Sequence, residues 1–474
     1  MSNPILATDS YKFSHYKQYP KNTSLIRSYI EARGSQIKGV DEVVFFGLQA
    51  FINEVLSKPV TMRDVDAAEA LVTKHGFEFN RRDWQLIVNR HGGFLPIKIH
   101  AVPEGTPVPL STPMCWVENT DTDLPWVTSY VETLLLSYIW YGSTVATLSR
   151  EIKKVIKGFL EVTSDAPDAE LPFKLHDFGY RGVAAGAAGL GGAAHLVNFM
   201  GTDTVAGIEF AQEHYNADVC GFSIPASEHS TMTSWGEENE YQAYKNMVKQ
   251  YAKPGAIFAC VIDSYDIDTA IRMWAVDIDP ETGLTLLEQV KEAGATVVLR
   301  PDSGDAVRTP IKVIGDLMVY VGHEINSKGF KVLPKHVRVI QGDGIDGIDL
   351  QKILMQMTEE KLSASNIAFG MGGGLLQKVN RDTFKFAMKA CYALINGIPT
   401  DVRKHPSGDP SKKSKGGQVT AWRVNGKLVA GVEDKRPEGA GRMQACVPIY
   451  HRYGRVNFFE KIDFNEVRKN AEVV

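Results

Sequence analysis

Short apolar runs recur through the middle of this chain, and each stops abruptly at a polar or glycine-rich signature. Lys174–Phe178 gives way to Gly-Tyr-Arg181-Gly, Leu196–Phe199 to Gly201-Thr-Asp203, and Val219–Ser223 to Ile-Pro-Ala-Ser-Glu228-His229-Ser230. Ala256–Ile262 ends in Asp263-Ser-Tyr-Asp266, Ala295–Leu299 in Arg300-Pro-Asp302-Ser-Gly304, Val337–Ile340 in Gln-Gly342-Asp343-Gly344, and Ile367–Phe369 in Gly370-Met-Gly372-Gly-Gly374. Between them, Leu284–Gly294, Pro310–Gly322 and Asp349–Lys361 place apolar residues at helical spacing. The markers Phe178, Asp203, His229, Asp263, Arg300, Asp343 and Gly372 lie 25, 26, 34, 37, 43 and 29 residues apart, room for a strand, a helix and two loops each. Apolar strands alternating with helices predict a parallel sheet buried on both faces, and about seven units predict an irregular (β/α) barrel over 166–388.

The flanks read differently. Residues 1–165 hold a helical pattern at Met62–Gly76 and strand-like pieces at Leu95–Ala101 and Pro107–Leu110. Residues 389–474 open on a basic Gly-Pro-Ser-rich loop, Lys404–Gly417, followed by strand-like Gln418–Arg423 and Lys427–Gly431. A second α+β domain built from both chain termini is expected.

Composition narrows the picture only a little. With 52 basic and 56 acidic residues the net charge is -4, which argues against a nucleic-acid-coating protein. The five cysteines are scattered and include no C-x-x-C pair, so free thiols in a reducing compartment are expected. Val127–Gly142 is interrupted by Glu132 and reads as a buried helix, and Met1–Lys17 has no basic stretch before an apolar run. A cytoplasmic protein is the expectation.

In a (β/α) barrel the site is built from loops at the C-terminal strand ends, where these signatures fall. Turns favour Gly and Asp anywhere, but turn chemistry alone predicts no bias toward paired Asp, Arg and His. Gly372-Gly-Gly374 ahead of an expected helix, Leu375–Lys389, offers free amides to an anion, with Arg381 and Lys389 adding charge. Asp263, Asp266, Asp302 and Asp343 put four carboxylates on three successive loops. Such carboxylates suit Mg²⁺ when substrate phosphates complete its shell, or else pair within a structural ion network. Arg300 suits bidentate phosphate or carboxylate contact. Phe178-Gly-Tyr180-Arg181 could stack a flat heteroaromatic ligand or simply belong to the core. His229 is one of 12 histidines, and spacing does not single it out. Gly189-Leu-Gly191-Gly-Ala-Ala194 imitates a dinucleotide fingerprint but follows no strand directly, so tight helix packing is expected there.

Taken together, Ala7-Thr-Asp9-Ser-Tyr11-Lys12, Lys174–Gly182, Gly201–Gly207, Glu228-His229-Ser230, Asp263–Ile267, Arg300–Gly304, Val339–Gly344 and Phe369–Lys378 are collinear and specific. They resemble the nicotinamide phosphoribosyltransferases of the type II phosphoribosyltransferase family, from about Ile5 to Ala471. The resemblance implies an irregular α/β barrel with a second domain, in a head-to-tail homodimer that shares its active sites. It also implies transfer from phosphoribosyl pyrophosphate to nicotinamide with Mg²⁺, and ATP as co-substrate phosphorylating His229.

By resemblance, Phe178 stacks on the pyridine ring and Tyr11 of the second subunit covers its other face, with Asp9 and Ser223 also at the substrate. Asp203 accepts from the carboxamide, and Arg181 and Arg300 surround the ligand. Asp302, Gly342 and Asp343 hold the ribose, and Gly372 and Gly373 the 5′-phosphate. Arg33, Arg381, Lys389 and Lys404 hold pyrophosphate or nucleotide phosphates. Asp266 orients His229, and Asp302 and Asp343 serve Mg²⁺ indirectly through substrate phosphates. Ile262 stands where animal members carry a small polar residue and is expected to alter the lining of the ring tunnel. Nicotinate phosphoribosyltransferase, a metal-dependent barrel hydrolase or lyase using Asp263, Asp302 and Asp343, and a degenerate binding barrel are the alternatives.

Overall fold

The computed structural model describes residues 3–405, 407–408 and 413–473. Six parallel strands form one curled sheet in the order Gly201–Thr202, Leu175–Asp177, Ile367–Met371, Val337–Gln341, Thr296–Arg300, Ile257–Val261. The seventh apolar unit is not a regular strand. Phe222 bridges Gly201 at one edge and Ala226 bridges Ala259 at the other, so an irregular segment containing Pro225 joins the two edges. Proline cannot donate to a ladder, which explains the break: Pro225 accepts from the Ala259 amide at 2.8 Å, and Ser227 then donates to the Ala259 carbonyl at 3.1 Å.

The helices cover this barrel largely where periodicity predicts them, at Leu286–Glu292, Arg308–Val321 and Gly347–Glu359. The run Leu196–Phe199 proves to end the helix Ala188–Leu196, leaving only Gly201–Thr202 as strand. That helix packs as its glycines suggest. A Cβ on Gly192 would come within 2.9 Å of the Cα of Gly207 on the helix Val205–Tyr215, so only glycine allows the approach.

The second domain centres on a seven-stranded antiparallel sheet shared by both ends of the chain. Its order is Ile398–Asp401, Phe386–Ile395, Thr23–Ala32, Cys115–Asn119, Ile97–Ala101, Val447–Tyr453, Val456–Phe459. The helix expected over Leu375–Lys389 is therefore absent. Only Gly373–Leu376 turns helically, and Lys389 lies on a strand facing Tyr29 of Thr23–Ala32. Pairing with a strand from the other end of the chain outweighs local helix propensity, and Asn380 caps a short turn, Arg381–Thr383, that separates the two elements.

The helix Glu132–Thr163 joins the two bodies. Leu135 and Ile139 enter the core of the terminal domain, whereas Val145, Ile156 and Leu160 enter the barrel core. Among the described residues no helix is long and apolar enough to cross a membrane. All five cysteines are buried and unpaired.

Candidate active site

The loops at the C-terminal strand ends converge. A cavity of about 540 Å³ is lined by Phe178, Arg181, Asp203, Arg300, Asp302, Gly342, Asp343, Gly372 and Gly373, and also by Tyr180, Thr204 and Lys378. Lys378, at the end of the glycine-rich motif, is the cation that sequence reasoning passed over. Burial, helped by Asp302 and Asp263, raises the Asp343 carboxyl above its usual range. Three carboxylates thus concentrate negative charge at one side. On the other side, no protein acceptor among the described residues meets the amides of Gly373 and Gly374. One face of the mouth suits a cationic centre and the other a phosphate.

A second cavity of about 490 Å³ continues inward from the first and shares Phe178, Asp203 and Arg300 with it. Its walls include Ala226, Ala259, Val298, Ile340 and Ala368, side chains too small to fill the barrel. Phe178 stands at the junction, and glycines make room for it. A Cβ on Gly342 would lie 2.9 Å from its ring, and one on Gly370 would overlap it outright. Ser223 lines the inner cavity and donates a short hydrogen bond to Asp203. Arg300 lies 3.6 Å from Asp302, and its buried Nε has no partner, leaving a donor for a ligand. Ile262 does not line the tunnel. It is fully buried in the core outside the sheet, which corrects the expectation placed on it.

His229 opens the helix His229–Thr233 just after the closing segment. Its Nε2 lies 3.1 Å from Asp263 Oδ1 and its Nδ1 3.9 Å from Asp302 Oδ2, with the side chain 44% exposed. Asp266 does not orient it. The Asp266 carboxylate accepts from the Thr269 amide at 2.8 Å, capping the helix Ile267–Ala275, and those hydrogen bonds hold its carboxyl below the usual range. Asp263, three residues earlier and just past the strand Ile257–Val261, is the carboxylate within reach of His229. Of the two aspartates in Asp263-Ser-Tyr-Asp266, the sequence does not say which faces the site.

The remaining predicted residues gather elsewhere. Burial lowers the Lys389 ammonium despite the neighbouring Glu132, and the charges of Arg33, Lys404 and Arg381 lower it further. These four cations therefore form one group, on the terminal domain and outside both barrel cavities. Tyr11 is 54% exposed on the turn Ser10–Lys17, and Asp9 accepts from the Thr133 hydroxyl at 2.9 Å. Lys12 pairs with Glu132 at 2.5 Å, tying this turn to the long helix beside the cation group. Neither Asp9 nor Tyr11 reaches the cavities of its own chain.

Comparison with known proteins identifies the family and the fold. Residues 173–442 match the nicotinate phosphoribosyltransferase (NAPRTase) family, and residues 3–99 match the nicotinamide phosphoribosyltransferase N-terminal domain. A nicotinamide phosphoribosyltransferase of Xanthomonas campestris pv. campestris (strain 8004) is 51% identical over 428 residues, spanning 89% of this chain and 88% of that one. One from Acinetobacter baylyi is 32% identical, spanning 93% of this chain and 92% of its own. Two solved structures share the fold. Nicotinate-nucleotide pyrophosphorylase from Pyrococcus furiosus gives a TM-score of 0.61 at 16% identity over 99% of this chain and 94% of that chain. Human nicotinic acid phosphoribosyltransferase gives 0.58 at 14% identity over 98% and 93%. With a relative 51% identical over most of both chains, and with family models matched at both ends, the chain belongs to the nicotinamide phosphoribosyltransferases within the nicotinate phosphoribosyltransferase family.

Proposed function

We propose that this enzyme transfers the phosphoribosyl group of phosphoribosyl pyrophosphate to nicotinamide, giving nicotinamide mononucleotide and pyrophosphate in NAD salvage. The observation that carries the choice of base is Asp203, held by Ser223 beside Phe178 where the mouth meets the tunnel. A carboxamide NH₂ donates to this carboxylate. The carboxylate of nicotinic acid at about 4 Å would be repelled by roughly 4 kcal/mol at an effective dielectric near 20, about a thousandfold in affinity.

The chemistry follows from the same residues. The 5′-phosphate lies at Gly372 and Gly373, with the Gly374 amide and Lys378 beside them, and Asp302 and Asp343 hold the ribose hydroxyls with Gly342. The pyridine nitrogen, positioned by Phe178, attacks C1 of the ribose as the bond to pyrophosphate breaks. The carboxylates stabilise the positive charge developing on the ring. Among the described residues no cluster of three or more His, Cys, Asp or Glu is arranged to hold a metal. Asp302 and Asp343 line the same mouth as a pair of oxygen donors, which fits Mg²⁺ held chiefly by substrate phosphates. Bound there, Mg²⁺ neutralises the leaving group.

His229, with Nδ1 unoccupied and Asp263 on Nε2, is the group we assign to phosphorylation by ATP. Arg33, Arg381, Lys389 and Lys404, with Tyr11, supply the second subunit's half of a shared site in a homodimer. Five buried, unpaired cysteines support a cytoplasmic setting.

Nicotinic acid is the competing base, because the free Nε of Arg300 would suit its carboxylate. Product formation from phosphoribosyl pyrophosphate, Mg²⁺ and ATP with each base decides. Wild type is expected to favour nicotinamide, and Asp203→Asn to lose most of that preference. A wild-type preference for nicotinic acid would reverse the assignment.

A further inference from the structure

The loop that receives the 5′-phosphate has little to hold it locally. Its one helical turn, Gly373–Leu376, is too short to be stable alone, and it opens on two glycines after a third, Gly372. Tertiary contacts must fix it. The far end is secured by Tyr141, on the helix Glu132–Thr163, whose hydroxyl donates to the Leu376 carbonyl at 3.0 Å. Burial raises the Tyr141 hydroxyl well above its ordinary range, so it stays a donor at any working pH. The Leu376 side chain is wholly buried against two glycines. A Cβ on Gly179 would lie 2.6 Å from Leu376 Cδ1, and one on Gly191 would lie 2.5 Å from Tyr141 Oη. On the near side, Gln377 Oε1 accepts the Ala184 amide at 2.7 Å.

We infer that Tyr141 is a positioning residue for the phosphoribosyl donor, its hydroxyl fixing the turn whose amides meet the 5′-phosphate. The inference rests on the reading of that loop given above. Tyr141 touches no substrate; it lines neither cavity. It acts through the Leu376 carbonyl, and a small displacement of a phosphate cradle is costly because both amide distances change together.

Ribose 5-phosphate binding by calorimetry tests this without turnover. Tyr141→Phe keeps the ring and its packing and is expected to weaken binding about three- to tenfold, the worth of one hydrogen bond. KM for phosphoribosyl pyrophosphate should rise by the same factor, with KM for nicotinamide and kcat unmoved. Gly191→Ala, which crowds the hydroxyl, should do likewise. Tyr138→Phe is the control: it removes a hydroxyl from the same helix that serves Glu54 at 2.8 Å, and should leave ribose 5-phosphate affinity unchanged. Unchanged affinity in Tyr141→Phe, an equal loss in Tyr138→Phe, or a wild type that does not bind ribose 5-phosphate would each overturn the inference. Wild type that binds ribose 5-phosphate but makes no mononucleotide would sink the proposed function, while a loss in Tyr141→Phe would still uphold the role of Tyr141.

Discussion

Two histidines of this chain face an aspartate in nearly the same way, and only one keeps a ring nitrogen without a hydrogen bond and a side chain open to solvent. His91 ends the helix Arg81–His91 with Nε2 2.7 Å from Asp121, while its Nδ1 accepts the Gly454 amide at 2.8 Å. Both ring nitrogens are engaged and the side chain is fully buried. His229 stands 3.1 Å from Asp263, but its second nitrogen accepts and donates no hydrogen bond among the described residues, Asp302 lying 3.9 Å away, and the side chain is 44% exposed. The pairing alone therefore does not mark out the histidine proposed to be phosphorylated; the open nitrogen and the exposure separate the two. His195 repeats the buried pattern, between the Ser149 hydroxyl at 3.0 Å and the Gly201 carbonyl at 3.1 Å.

The sharpest way to break this contrast is His229→Ala. All stimulation of turnover by ATP should vanish, while Tm moves by less than about 2 °C, as for an exposed site. A large fall in Tm would put His229 with the structural histidines. Next comes His195. Burial depresses its imidazole to about 3, so the native state holds it neutral. The resulting stability is fully present above pH 6.5 and is lost as pH falls toward 3, by an upper bound of roughly 5 kcal/mol. Urea unfolding across that range should show a shallower acid limb in His195→Gln than in wild type.

His91→Ala should cost about 3 kcal/mol, because Asp121 and the Gly454 amide lose a buried partner, yet leave the kinetic constants of the folded enzyme intact. The smallest effect separates the two aspartates of one motif. Asp266→Ala should cost about 1 kcal/mol of stability through its lost cap and keep the ATP response, whereas Asp263→Ala should lose that response. Equal ATP responses in the two variants would contradict the assignment.

Much of the barrel was legible because parallel strands buried on both faces read as continuous apolar runs, each punctuated where a loop begins. The closing segment around Pro225 kept its apolar run but not its strand, since proline removes the ladder donor. The stretch after Gly374 misled because Phe386–Ile395 is a strand only by virtue of Thr23–Ala32, a partner from the other end of the chain. Likewise Arg33, Lys389 and Lys404 meet only once the termini share a sheet, so no local spacing announces them. Asp263 and Asp266 differ only in direction, which a sequence does not record.

The most direct test of the contrast between the two histidine–aspartate pairs is to incubate wild-type enzyme with γ-labelled ATP and map the acid-labile phosphate by peptide. The account predicts label on His229 alone. Label on another histidine, or none at all while ATP still stimulates turnover, would contradict it.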